Sequence, residues 1–222
     1  MTLETPAGRP QTTTLILVRH GQTDSNLHQR YQGQSDVPMN DAGRAQIRTV
    51  ARHLAGLRPA AIYCSDLSRA HEAAQIIGRA VGIVPVALRE LRERSFGRLE
   101  GLTHEEVAAM FPESWETWRT HRDAWIPPGG ESLGEMWGRV LACIEARWQA
   151  HPGQTFIMAG HGGPISAIIC DSLGAPMETR RALEIANASI TIIARNETGP
   201  RIVVMNDTCH LLKESPADDE AD

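Results

Sequence analysis

The sequence predicts an α/β fold: a three-layer αβα sandwich around a mostly parallel central sheet, with an antiparallel edge. Three observations carry that prediction. Apolar runs of strand length recur at residues 15–18, 60–64, 84–88 and 154–159, each too short for a globular helix. Stretches of helical length with end signals separate most of them, which is the alternation of a parallel sheet covered on both faces. Near the C-terminus, 189–195 and 201–205 flank Asn196-Glu197-Thr198-Gly199-Pro200, a loop with hairpin chemistry that adds the antiparallel edge. With 222 residues and 41% apolar content, the chain can bury a sizeable core as one domain, without disulfides or metal.

The elements follow in order. Leu15-Ile16-Leu17-Val18 is a buried strand that ends abruptly in Arg19-His20-Gly21. Asn40 caps a helix from about Asp41 to Leu54, with Gly56 near its stop. The strand at 60–64 leads into Ser65-Asp66-Leu67-Ser68-Arg69, where Ser68 reads as the cap of a helix reaching about Val81 before Gly82. Arg69, in its first turn, is expected to point back over the strand end. The run at 84–88, read as a further strand, feeds a charged and interrupted loop from Arg89 to Gly97, in which Arg89, Glu90 and Arg92 taken singly read as solvated surface. Thr103-His104-Glu105-Glu106 and Ser132-Leu133-Gly134-Glu135 are capping boxes; the first opens a short helix ended by Pro112, the second a long helix to about Ala150. Between them Trp115, Trp118 and Trp125 read as packing residues. After the turn His151-Pro152-Gly153, the strand at 154–159 runs into Gly160-His161-Gly162-Gly163-Pro164 and a helix from about Ile165 to Leu173.

Ligands in open α/β sheets bind outside the carboxyl ends of the strands. Two of the nine histidines, His20 and His161, sit just past two such ends, each followed by glycine. An arginine fork beside them suits phosphate or carboxylate oxygens, and the imidazoles can serve as nucleophile, general base or metal ligand. Gly21 would let the backbone turn sharply and approach a ligand closely.

The run Arg19-His20-Gly21-Gln22-Thr23-Asp24-Ser25-Asn26, followed by Arg30, Gly33, Asp36 and Asn40-Asp41-Ala42-Gly43, resembles the opening signature of the histidine phosphatase superfamily, the phosphoglycerate mutase-like proteins. Ser65-Asp66-Leu67-Ser68-Arg69-Ala70, Leu91-Arg92-Glu93 through Gly97-Arg98-Leu99-Glu100-Gly101, Gly129-Gly130-Glu131-Ser132 and Gly160-His161-Gly162-Gly163 resemble its later blocks in the family's order, so the likeness spans about 15–193. The length and the segment 97–132 are similar to the small phosphatase branch, and more loosely to glucosyl-3-phosphoglycerate phosphatases. Leu99 stands where these often carry an aromatic residue.

The resemblance implies a phosphomonoester hydrolase acting on a small phosphorylated metabolite, a sugar phosphate or phosphoglycerate type. His20 would be the phosphorylated nucleophile and Glu93 the general acid and base, with Arg19, Arg69 and His161 stabilising the transferring group. Asn26, Thr23, Gln32, Gly33 and Gly162 would bind substrate, with backbone N–H groups near Gly162 as neutral donors. No metal and no cofactor is implied. A cap insert at about 98–131 would cover the site within a single domain, 13–212, between flexible tails 1–12 and 213–222. A cofactor-dependent phosphoglycerate mutase is the alternative, and a noncatalytic phosphate-binding protein a more distant one.

Composition narrows the partners. The net charge of −5, from 22 Lys plus Arg against 27 Asp plus Glu, and the lack of a basic run argue against nucleic acid. No apolar run approaches a membrane span, and the start of the chain lacks the apolar core of a signal peptide. Cys64, Cys143, Cys170 and Cys209 are widely spaced and read as ordinary thiols, which fits the cytoplasm. The expected partner is thus a small phosphomonoester, with a homodimer left open. Lys213 is the only lysine, so the basic groups are nearly all arginines, suited to bidentate oxygen recognition.

Overall fold

The computed structural model describes residues 12–213; the tails expected to be flexible lie outside the described residues apart from their innermost positions. The strands are β1 (Thr13–Arg19), β2 (Ala61–Cys64), β3 (Val86–Ala87), β4 (Thr155–Gly160), β5 (Ile190–Asn196) and β6 (Gly199–Asp207). They form one sheet in the order β3-β2-β4-β1-β5-β6. The first four of that order run parallel, whereas β5 pairs antiparallel with β1 and β6 antiparallel with β5. The helices are α1 (Asp24–Leu27), α2 (Asp41–Leu54), α3 (Ser68–Val81), α4 (His104–Met110), α5 (Pro112–Thr120), α6 (Leu133–Ala150) and α7 (Gly162–Ser172).

The pleat of β1 sorts its side chains between two cores. Leu15 and Leu17 join Phe156 and Met158 under α6 and α7, while Ile16 and Val18 join Ile62, Ile157 and Ala159 under α2 and α3. Both faces of the sheet are therefore covered, as the near-continuous apolar runs require.

The helix ends follow local chemistry with one exception. Gly43 N–H donates to Asn40 Oδ1 at 2.9 Å, and Gly82 closes α3 at φ 77°, in the left-handed region. Both predicted capping boxes form, at Thr103 and at Ser132. The Ser68 cap does not. Leu67 occupies the N-cap, the Ser68 hydroxyl is buried without a partner, and Ser68 N–H donates instead to the Asp36 carboxylate at 2.7 Å. A neighbouring loop thus supplies the anion that this helix start requires.

The strand expected at 84–88 is present but shorter. β3 holds two residues at the sheet's outer edge, both exposed, and Val84 is 88% exposed, because apolar composition alone does not distinguish a central strand from an edge. Pro112, read as a stop, opens α5, where its missing N–H is harmless. Residues 96–125 pack on a third apolar cluster around Leu99, Val107 and Trp125, separate from the two sheet faces.

Candidate active site

The register of β1 and β4 brings the two histidines together. Arg19 pairs with Gly160, so the next residue on each strand emerges at the same end of the sheet. His20 N–H then donates to Gly160 O at 3.0 Å, and the His20 and His161 rings meet edge-on with centroids 5.3 Å apart. This is also where the covering helices change face, from α2 and α3 to α6 and α7, so the crevice lies at a topological switch point.

His20 is buried, and its Nδ1 lies 2.7 Å from Gly21 O. A carbonyl only accepts, so Nδ1 carries the proton and the Nε2 lone pair is left free. Burial first, and then the charges of Arg19 and Arg69, hold its pKa well below 6.5, which keeps the ring neutral. His161 is fully buried at the start of α7, with neither ring nitrogen hydrogen-bonded. Burial, followed by Arg69 and the His20 ring, likewise pushes its pKa well down.

Both arginines are anchored by part of the guanidinium only. Arg69, wholly buried, donates to Gly33 O at 2.7 Å and Ser35 O at 2.9 Å, leaving its Nε without a partner. Arg19 Nη1 donates to Ile185 O, and its Nε is equally unpartnered. Burial lowers the Arg69 pKa to about 10, against the opposing pull of Glu93, and burial also lowers that of Arg19. Both remain cationic at neutral pH.

Glu93 reaches the same end of the sheet from the loop after β3. Its carboxylate accepts Arg94 N–H at 2.8 Å and Gly163 N–H at 3.0 Å. The Gly163 amide is therefore engaged by Glu93. A side chain at Gly163 would strike the carboxylate, so glycine is what admits Glu93 here. Gly21 is small for a different reason than expected: a Cβ there would fall on the Gly43 carbonyl at the start of α2, a close approach of backbone to backbone.

The turn after β1 is a locked support. Thr23 is fully buried, its hydroxyl 3.0 Å from both Asn26 Oδ1 and Gln32 Oε1. Gly33 sits at φ 53°, packed against Glu100 and Phe96, and its carbonyl receives Arg69. Glu100 itself accepts from Gln34 N, Ser35 Oγ and Phe96 N, which ties it to this loop. Gly162 lies against the Arg19 guanidinium. Arg92 is no free surface charge: it forms a half-buried pair with Asp66, Nε to Oδ1 at 2.6 Å.

Two positioning residues escaped the sequence reading. Asn187 Nδ2 donates to His20 O at 3.1 Å and to Asn26 Oδ1 at 3.2 Å, linking both pieces of the site. Arg139 donates to the carbonyls of Glu90, Arg92 and Glu93 and pairs with Glu131 at 2.6 Å, clamping the Glu93 loop to α6. A lone arginine between the core positions Met136 and Val140 was the available signal.

Arg19, Glu93, Gly162 and Gly163 line one part of a cleft of about 320 Å³, which Tyr31, Trp118 and Trp125 also line. Among the described residues, no three His, Cys, Asp or Glu side chains are grouped to hold a metal ion, and no helix is long and apolar enough to cross a membrane.

Residues 15–208 match the family model of the histidine phosphatase superfamily (branch 1). The chain is 35% identical over 202 residues to phosphoglycerate mutase-like protein 4 of Arabidopsis thaliana, covering 89% of this chain and 86% of that one. It is 36% identical over 187 residues to glucosyl-3-phosphoglycerate phosphatase of Mycobacterium tuberculosis, covering 80% and 83% respectively. A solved structure of YhfR from Bacillus stearothermophilus superposes with a TM-score of 0.83 at 29% identity, over 90% of this chain and 99% of that one.

Proposed function

The chain belongs to branch 1 of the histidine phosphatase superfamily, and from that membership we propose that it hydrolyses phosphomonoesters of small metabolites through a phosphohistidine at His20. The observation that carries this reading is the His20 ring itself: fixed through Nδ1 to a backbone carbonyl, with Nε2 left free and the ring held neutral by burial and by two part-anchored arginines.

In the first step Nε2 attacks phosphorus and the bond to the leaving oxygen breaks; protonated Glu93 gives its proton to that oxygen, releasing the alcohol. Arg19, Arg69 and His161 stabilise the charge spread over the transferring phosphoryl oxygens. In the second step the Glu93 carboxylate takes a proton from water, whose oxygen attacks phosphorus. The N–P bond breaks, returning neutral His20 and protonated Glu93 and leaving inorganic phosphate. Asn26, Gln32, Gly33 and Gly162 form the rim for the transferring group, and buried Thr23 holds that rim in place.

Residues 98–131 act as the cap of a single catalytic domain in this reading, which gives their aromatic cluster a part in substrate choice. The buried free thiols of Cys64, Cys143 and Cys170 support a reducing cytoplasm. The decisive experiment is acid-quench trapping with a substrate labelled on phosphorus. The wild type should carry an acid-labile label, and His20→Ala should lose both the label and turnover while keeping its circular dichroism. Undiminished labelling of that variant removes His20 from the nucleophile role.

A further inference from the structure

The strand end that carries Arg19 and His20 is held by a short segment far along the chain. Ala188 N–H donates to both Arg19 O and His20 O at 3.1 Å, Asn187 Nδ2 adds a further donor to His20 O, and Ser189 O accepts Arg19 N–H at 3.2 Å. On the other side His20 N–H donates to Gly160 O. The backbone of the proposed nucleophile is thus bonded from two sides, and the direction of its ring depends on that frame. Ala188 is the strained part of it. Fully buried, it sits at φ 57°, in the left-handed region that residues with a Cβ avoid. Such a conformation persists only where its surroundings hold it.

The hold comes from the turn after β6. His210, in the 3-10 turn Cys209–Lys213, places its Nε2 3.0 Å from Ala188 O, and because a carbonyl only accepts, Nε2 carries the proton. Asn206, at the end of β6, accepts Ala186 N–H on its Oδ1 at 2.7 Å, so the same turn grips the segment at two points. The His210 ring is buried, and its Nδ1 has no hydrogen-bond partner. His53 from the last turn of α2 lies beside it, with ring centroids 5.7 Å apart, and Asp207 acts on it from the turn itself. Burial lowers its pKa, as His53 does, while the bond to Ala188 and the Asp207 charge oppose the shift; the ring is neutral. A buried imidazole with one hydrogen bond offers little that an aliphatic side chain would not, except that bond.

We infer that His210 is a positioning residue for His20: its bond to Ala188 O holds the left-handed turn that aims the Ala188 N–H at the carbonyls of Arg19 and His20. The inference rests on the hydrolase reading above for its kinetic consequence. Without the bond, Ala188 relaxes towards negative φ and its N–H turns away from both carbonyls. The His20 ring then loses its fixed line of approach to phosphorus. Arg69, anchored on Gly33 O and Ser35 O, is untouched, so the loss falls on kcat more than on KM.

Two substitutions separate the bond from the packing. His210→Leu keeps the volume and removes the donor, whereas His210→Gln keeps an N–H donor near the place of Nε2. Each variant is assayed with a simple phosphomonoester, well below its own urea midpoint, and the His20 ring is followed without substrate by nitrogen-edited NMR, its signals assigned by their loss in His20→Ala. His210→Leu should lower kcat roughly 10- to 100-fold with KM little changed, and should shift the His20 ring signals. His210→Gln should recover most of both. If His210→Leu does not fold, His210→Ala takes its place in the same comparison. Unshifted His20 signals or an unchanged kcat in the donor-less variant overturn the inference, and so does an equal loss in His210→Gln, which would leave only packing. If the wild type hydrolyses no phosphomonoester, the hydrolase reading fails and the ring signals alone decide: a shift in His210→Leu that His210→Gln recovers upholds the positioning role, and unshifted signals overturn it.

Discussion

The proposed nucleophile His20 must be neutral when the substrate arrives, and burial, followed by the charges of nearby arginines, favours the neutral form of His20 and of its neighbour His161. The sign of the resulting pH dependence follows. Below the unfolded value of about 6.5, the unfolded chain binds protons at these rings that the folded protein excludes. Their contribution to stability is therefore full above that pH and declines as pH falls below it, at up to about 1.4 kcal/mol per pH unit for each ring. Ring resonances followed by NMR should show both imidazoles still neutral at about pH 6, and the urea midpoint should fall between about pH 7 and 5.5, less steeply in His161→Gln. A titration midpoint at or above the unfolded value for either ring contradicts this account. Glu93 poses a separate question, since it could transfer a proton or merely shape the pocket. Glu93→Gln should slow single-turnover phosphorylation of His20 by alkyl phosphates about 100-fold or more, and by an activated aryl phosphate far less, because a good leaving group needs little protonation. An equal loss with both substrates would assign Glu93 to positioning. The acid would then have to be sought elsewhere, although Glu100 is tied to the loop at 33–35.

At the scale of elements, the site depends on close approaches that only glycine permits. The chain after β1 passes so near the first turn of α2 that a Cβ on Gly21 would fall on the Gly43 carbonyl, backbone against backbone with no flexible side chain to yield. Gly21→Ala should therefore cost roughly 1–3 kcal/mol or more by overpacking, read as a lower urea midpoint, and should shift His20 with it. A midpoint within about 0.5 kcal/mol of wild type would show that the contact relaxes cheaply. The same elements show what a sequence can reveal. Asn40, Thr103 and Ser132 each announced a helix start, because a cap is a bond between residues three apart. Ser68 misled, because its helix start is satisfied by Asp36, a residue from another part of the chain. The edge position of β3 was not legible for a similar reason: whether an apolar run is central or at the edge depends on strands elsewhere.

Across the whole molecule, the strand ends bearing Arg19-His20 and His161 were legible because buried apolar runs stop there, and the family resemblance set them facing each other; the physical basis of that adjacency, β4 inserted between β1 and β2, is seen only in the fold. Asn187 and Arg139 stayed hidden because their partners are backbone carbonyls and side chains far along the chain. The assembled site also predicts what the reaction does without. A transferring phosphoryl group needs positive charge around its oxygens, and in the proposed mechanism Arg19 and Arg69 supply it from partly fixed positions, with neutral His161 as a hydrogen-bonding neighbour, the role that divalent ions fill in many phosphoryl-transfer enzymes. A chelator such as EDTA should consequently leave kcat/KM unchanged. Reversible loss restored by a divalent metal would mean that these cations are insufficient. The same assay separates a hydrolase from a mutase. A mutase must keep water from the phosphohistidine and return the phosphoryl group to a second hydroxyl, so its turnover depends on a bisphosphorylated primer. A hydrolase releases one phosphate for each alcohol. Phosphate and alcohol should thus appear in equal amounts from a simple phosphomonoester, with no bisphosphoglycerate added, and adding it should not raise the rate. Turnover that starts only with that primer, giving a rearranged ester instead of free phosphate, would make the protein a mutase.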